Sequence, residues 1–193
     1  MGMADPARRL PSFDELRREI ASLPKGTTGE ILGPGWLRTM SRPGSRHGRA
    51  SWKLRRALDA SDILDGGVGW WFEIEREIRF GDRLLVPDLA GWRAEEEPTF
   101  TEENPIEVSP DWVCEILSRS TQRGDRAIKL PIYAAASVGH AWIVDPEART
   151  LEVYETRQGQ PVLVATAVGE VRLALPPFPH EVEVGGLWKP AAV

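Results

Sequence analysis

The chain has 193 residues, with 24 Lys plus Arg against 29 Asp plus Glu, 41% hydrophobic and 27% charged residues. This composition excludes a collagen-like, coiled-coil or largely disordered protein, and the length suits one domain over 1–193 with flexible ends at 1–11 and 189–193. A single cysteine, Cys114, excludes an internal disulfide framework or a cysteine-rich zinc site, and no apolar run approaches the ~20 residues that span a bilayer. The first residues, MGMADPARRL, lack the apolar stretch of a signal peptide, so the expected location is the cytoplasm, without a membrane partner.

The net charge of −5 conceals an asymmetry. Arg38 to Arg56 contains seven bases and no acid, whereas Glu73 to Glu115 contains thirteen acids against four arginines. A basic face beside an acidic pocket would suit a polyanion outside and a divalent cation inside. Ordinary salt bridges on solvated faces are the other reading of the same charges.

In chain order, Ser12-Phe13-Asp14-Glu15 has capping-box spacing and predicts a short amphipathic helix to about Leu23, stopped by Pro24. Gly29 to Met40 reads as a hairpin around Gly33-Pro34-Gly35. A second helix is expected from Ser45 to Ala60, with His47, Ser51, Leu54 and Leu58 on one face. After Gly66-Gly67-Val68-Gly69, Trp70 to Phe80 and Leu84 to Trp92 read as two strands, and Arg93 to Pro110 as a long acidic loop, a lid or an interface segment. Trp112 to Leu117 is a short strand buried on both faces, Ser118 to Gly124 a polar loop and Asp125 to Val138 a helix. His140 to Asp145 and Thr150 to Glu155 form a second hairpin, and Val162 to Ala167 and Glu181 to Val184 are further strands. The order of elements predicts an α/β (α+β) fold around one mixed sheet.

The informative residues are acids standing where a core strand wants an apolar side chain. Alternation points Val113, Glu115 and Leu117 one way and Trp112, Cys114 and Ile116 the other, so Glu115 is surrounded by apolar neighbours. Burying an unpaired carboxylate costs several kcal/mol, so a cation, a hydrogen-bond network or a proton must compensate. Asp88 raises the same question, beside Pro87, which cannot donate to a sheet ladder and so marks a bend, an edge or a strand start. Two carboxylates on neighbouring strands form a hard oxygen site suited to Mg²⁺ or Mn²⁺, to which the Ile116 carbonyl would add a ligand. Lys129, one turn into the following helix, would bring an ammonium to it, with Asp125 and Tyr133 as its i−4 and i+4 neighbours. The same acids read alternatively as partners of Arg76, Arg79 or Arg93. His47 reads as a packed or capping histidine, or as an accessory of the site. Glu75 and Glu77 alternate along one strand face, either a solvated edge or a further accessory pair.

The succession Pro87-Asp88-Leu89-Ala90-Gly91-Trp92, then Pro110-Asp111-Trp112-Val113-Cys114-Glu115-Ile116-Leu117-Ser118, resembles the Uma-type (Uma two) family of restriction endonuclease-like proteins. Ser120-Thr121, Asp125-Arg126, Lys129, Tyr133, Val138-Gly139-His140 and Trp142-Ile143-Val144-Asp145-Pro146 continue the resemblance. Upstream, Thr39-Met40-Ser41-Arg42-Pro43, His47 and Trp70-Trp71 extend it, so that it spans about Phe13 to Trp188. The resemblance implies a PD-(D/E)XK phosphodiesterase, with a restriction-endonuclease-like mixed sheet flanked by helices and additional hairpins. It further implies a Mg²⁺-dependent nuclease with Asp88 and Glu115 as metal ligands, DNA as partner and a homodimer as the assembly. The superfamily pattern places Lys two residues after the Glu, where this chain has Leu117; Lys129 is the residue that matches the family's replacement. Pro131 departs from a regular helix and would be expected to kink it near Lys129.

Two functions from different classes follow. One is a metal-dependent endonuclease in which Asp88 and Glu115 hold the ion, Lys129 positions water, and Arg42, Arg46, Arg49, Lys53 and Arg56 contact the nucleic acid. The other is a weakly active or inactive nuclease-fold module that binds nucleic acid or protein. A carboxylate-pair glycosidase is a third class, with no sugar-binding feature to support it.

Overall fold

The computed structural model describes residues 9–41, 45–65, 69–94, 98–118 and 124–188. Arg42, Pro43, Gly66 to Val68 and Arg119 to Arg123 fall outside the described residues, as do the expected flexible ends apart from Arg9, Leu10 and Pro11.

The elements are α1 (Phe13–Ala21), β1 (Thr27–Gly33), β2 (Trp36–Ser41), α2 (Ser45–Ala57), β3 (Gly69–Ile74), β4 (Ile78–Phe80), β5 (Arg83–Leu85), β6 (Leu89–Ala94) and β7 (Trp112–Ile116). A π-helical turn (Asp125–Lys129) then runs into α3 (Leu130–Ala135). After these come β8 (His140–Asp145), β9 (Thr150–Arg157), β10 (Gln160–Val168), β11 (Arg172–Ala174), β12 (Glu181–Glu183) and α4 (Gly185–Trp188). Among the described residues no helix is long and apolar enough to cross a membrane.

A six-stranded sheet in the order β10-β9-β8-β7-β6-β3 forms the centre, beside a four-stranded sheet β2-β1-β5-β4 and the pair β11-β12. All ladders of the six-stranded sheet are antiparallel except β7–β8, whose parallel pairing requires the crossover that the π turn and α3 provide. Side-chain alternation along β7 sorts the core into two layers. Trp112, Cys114 and Ile116 join Ala50 and Leu54 of α2 and Val182 of β12, while Val113 and Leu117 join Leu130 and Tyr133 of α3 and Ile78 and Leu85 of the smaller sheet. Trp112 packs edge-on against Trp142 at 5.4 Å and against Phe178 at 5.3 Å. Gly91 in β6 is needed here, because a Cβ would strike the Phe72 ring.

Three expectations are corrected. The segment Trp70 to Phe80 is not one strand: β3 lies in the six-stranded sheet and β4 in the four-stranded one, with Glu75 at φ 50° in the bend between them. Consequently Glu75 and Glu77 do not alternate along one strand face. Leu84 to Trp92 is divided in the same way, β5 and β6 belonging to different sheets, and the break falls at Val86-Pro87-Asp88, where proline has no N–H for a ladder. The described part of the acidic loop is not a lid, since Ile106 is fully buried and exchanges backbone hydrogen bonds with Glu77 and Arg79. Glu75 N–H donates to the Asp88 carbonyl, so the two crossings between sheets lie side by side.

Candidate active site

A cleft of about 940 Å³ opens where the sheets diverge. Asp88, Glu115, Lys129, His47, Glu75, Glu77 and Asp125 all line it, and so do Arg17, Arg38 and Ile116. One wall is α1, which Ser12 and Glu15 close with a reciprocal capping box. It sits so close to β1 that a side chain at Gly29 would collide with Ile20. Arg17 of α1 pairs with Glu77 across the cleft.

Asp88 stands at the sheet crossing, and its two oxygens are held separately. Ile116 N–H donates to Oδ2 at 2.6 Å, and His47, in the first turn of α2, donates from Nε2 to Oδ1 at 2.6 Å. His47 Nδ1 is buried and has no hydrogen-bond partner among the described residues. Burial works to lower the His47 pKa, but the Asp88 bond and the charges of Asp88, Glu75 and Asp125 outweigh it and hold the ring above its usual value.

Glu115 is 3% exposed, in the middle of a strand whose five residues are all buried. Lys129 Nζ donates to both of its oxygens at 3.0 Å, and the Tyr133 hydroxyl donates to Oε1. Burial pushes the Glu115 carboxyl well above the usual range against the attraction of Lys129, and Asp125, Asp88 and Glu30 push the same way. Lys129 is itself 2% exposed, which alone would favour the neutral amine; Glu115, Glu30 and Asp125 reverse this and keep it protonated. Its closest carboxylate oxygen is Glu30 Oε1, at 2.8 Å, and Asp125 lies at 3.8 Å.

Glu30 and Arg38 were not among the residues that the motifs singled out. Glu30 lies on β1, is completely buried, and accepts the Val86 N–H at 3.0 Å beside the Asp88 crossing. Its Oε2 is 3.0 Å from Arg38, an ion-pair contact without hydrogen-bond geometry, and Arg38 also donates to Asp125 at 3.2 Å. The signal for Glu30 was present: it precedes Ile31-Leu32 as an acid in an apolar strand, the rule that selected Glu115. The site is thus four carboxylates, Glu30, Asp88, Glu115 and Asp125, set against Lys129, Arg38 and His47.

Pro131 does not displace Lys129. The Leu130 N–H reaches back five residues to the Asp125 carbonyl, and this wide π turn ends just before Pro131, which enters α3 in its first turn. The turn carries Lys129 and Asp125 inward together.

The metal ligands on offer are the Asp88 and Glu115 carboxylates, whose oxygens are hard donors with lone pairs beyond those already engaged. Among the described residues no three His, Cys, Asp or Glu side chains come together closely enough to hold an ion. Such a pair of carboxylates fits Mg²⁺, which keeps several waters and takes only one or two protein carboxylates beside substrate phosphates.

The profile of the Uma2 family, described as "Putative restriction endonuclease", matches residues 19–187. This chain belongs to the Uma2 family. A crystal structure from Anabaena variabilis ATCC 29413, described as "a putative nuclease belonging to DUF820", superposes with a TM-score of 0.69 at 18% identity, covering 92% of this chain and 97% of that one. The chain therefore shares that protein's fold. No curated protein matches it.

Not every expected site residue converges on the cleft. Arg42 lies outside the described residues, as does the side chain of Arg46. Lys53 donates to the Gly186 carbonyl at 2.7 Å, which ties α2 to α4. Arg49 and Arg56 are on the exposed face of α2. Tyr133 is buried behind Glu115, with its ring 5.8 Å from Phe80. Tyr133→Phe keeps that packing but removes the hydroxyl from Glu115, so we expect a loss of about 1.5–3 kcal/mol in the unfolding free energy measured by urea denaturation.

Proposed function

We propose that this Uma2 protein hydrolyses phosphodiester bonds in nucleic acid, DNA first, with Mg²⁺ or Mn²⁺ held by Asp88 and Glu115. One observation carries the reading: the Asp88 carboxylate at the sheet crossing just before β6 and the Glu115 carboxylate on neighbouring β7 face one cleft beside a buried, protonated lysine. Glu115 also carries more negative surroundings than its burial tolerates, which a cation would relieve. When bound, the ion supplies Lewis-acid polarisation of the phosphate and a more acidic water. Lys129 acts as a fixed positive charge beside the water and phosphate, not as a base, because three carboxylates hold its proton. His47 fixes the orientation of the Asp88 carboxylate. Cleavage of supercoiled DNA is the test: nicking that requires Mg²⁺ or Mn²⁺ and stops with EDTA is expected. Metal-independent nicking, or none with Mn²⁺, overturns the reading in favour of a nuclease-fold binding module.

The metal-free protein should lose stability as pH rises from the ordinary carboxylate range through the folded pKa of Glu115. Glu115 titrates near 4.5 when unfolded but well above that when folded, so over this interval the folded state binds the extra proton and each rise in pH disfavours it. His47, raised above 6.5, adds stability that is complete below that value and fades as pH passes its folded pKa, the same sign. Thermal melts at fixed ionic strength should therefore show a falling Tm, shallower in Glu115→Gln. Mn²⁺ at about one hundred times its Kd should add roughly 2.7 kcal/mol, with the larger Tm gain at the higher pH.

A further inference from the structure

We propose that the outward face of α2 is a stacking platform for unpaired bases, with Trp52 as the platform and Arg49 and Arg56 as flanking phosphate contacts. The proposal rests on the nuclease reading and names the form of nucleic acid that the cleft receives.

The two sides of α2 differ sharply. Ala50, Ser51 and Leu54 are buried against the six-stranded sheet, with Leu58 continuing that line just beyond the helix end. Arg49, Trp52 and Arg56 follow at i, i+3 and i+7 on the opposite, exposed side. Trp52 is 56% exposed, an unusual position for an indole on a helix face otherwise made of charged residues. The Arg56 guanidinium lies 5.2 Å from its ring centroid, which orders the indole while leaving more than half of the residue open.

Among the described side chains, Lys53 and Arg55 of the helix are engaged in the fold. Lys53 reaches the Gly186 carbonyl, and Arg55 pairs with Asp59 and Asp62 and lies over Phe72. Arg56 approaches Asp59 only at 4.0 Å, between two exposed side chains, a weak contact that phosphate would outcompete. The outer stripe therefore combines positive charge with an open aromatic face, in a stretch, Arg38 to Arg56, that contains no acid.

Charge alone would suit a duplex, whose phosphates need only Arg and Lys. The indole adds nothing there, because paired bases keep their faces inside the stack. It gains from a base whose face is open, and stacking of that kind is sequence-tolerant. The helix also connects the platform to the chemistry. His47, bonded to Asp88, precedes Trp52 by five residues, about 7.5 Å along the axis. A strand held on α2 would thus lie a short step from the cleft.

Fluorescence anisotropy in EDTA tests this without cleavage, using the full chain with labelled oligo(dT), oligo(rU) and a blunt duplex of equal length. Both single strands should bind more tightly than the duplex, the dT and rU arms showing whether DNA or RNA is preferred. Trp52→Ala should weaken single-strand binding by roughly 5- to 100-fold and leave duplex binding nearly unchanged, while Trp52→Phe restores most of it. Arg49→Gln and Arg56→Gln should each lower the salt dependence of log K by about 0.7 on single strands. Preference for the duplex, absence of binding, or single-strand affinity indifferent to Trp52→Ala overturns the proposal. So does a fall from dimer to monomer in Trp52→Ala without a change in affinity, which would assign the indole to contact with a second copy. The two readings fail separately: lost metal-dependent nicking with retained Trp52-dependent binding removes only the nuclease. Retained nicking with indifferent Trp52 removes only the platform.

Discussion

Lys129→Met is expected to lower the unfolding free energy by about 3–5 kcal/mol, the cost of leaving buried charge uncompensated. The ammonium is the shared partner of Glu30, Glu115 and Asp125, all almost completely buried, and Arg38 reaches only Glu30 and Asp125. Methionine matches the length of the stem but offers those oxygens nothing. For a chain of this size the melting temperature should fall by roughly 6–20 °C. The deficit should be smaller at pH 5 than at pH 8, because Glu115, already raised by burial, loses the attraction that opposes its protonation. Urea denaturation at both values measures it. A loss below about 1 kcal/mol at pH 8 would mean that Lys129 behaves as an ordinary solvated ion pair.

Asp88→Asn should show the opposite balance, a large loss of activity with little loss of stability. The amide oxygen can still accept the Ile116 N–H, the amide NH2 can donate to His47 Nε2 once that ring carries its proton on Nδ1, and the substitution removes one negative charge from a cleft rich in them. What disappears is the anionic ligand. Several kcal/mol of metal-supplied stabilisation of the transition state correspond to about three powers of ten in kcat. Initial rates of nicking at saturating Mn²⁺, with Tm measured on the same samples, separate the two effects. An Asp88→Asn enzyme within tenfold of wild type would remove Asp88 from the chemistry.

The acids of this site were legible in the sequence because they break a pattern. Glu115 sits inside Trp-Val-Cys and Ile-Leu, where alternation marks it, and Asp88 is marked by the proline before it inside an apolar run. Glu30 obeys the same rule but went unmarked, because the first strand of a hairpin commonly has one solvated face and an acid there looks ordinary. Only the approach of Lys129 and Arg38, on the side of β1 where Leu32 joins the core, takes that face out of solvent. Strand periodicity likewise located β3 to β6 but not their division between two sheets. Pro87 was a local signal for one crossing; the other turns at Glu75, a non-glycine residue at positive φ, which no residue preference announces. Pro131 illustrates the converse, a strong local signal absorbed by a π turn that seats Lys129 against Glu115.

The central claim is that Asp88 and Glu115 share one divalent ion. Anomalous scattering from crystals soaked with Mn²⁺ measures this most directly. A single peak within about 2.0–2.3 Å of an oxygen of each carboxylate, absent from Asp88→Asn crystals, is the predicted result. A peak elsewhere, or none while Lys129 and Tyr133 still hold Glu115, would contradict it.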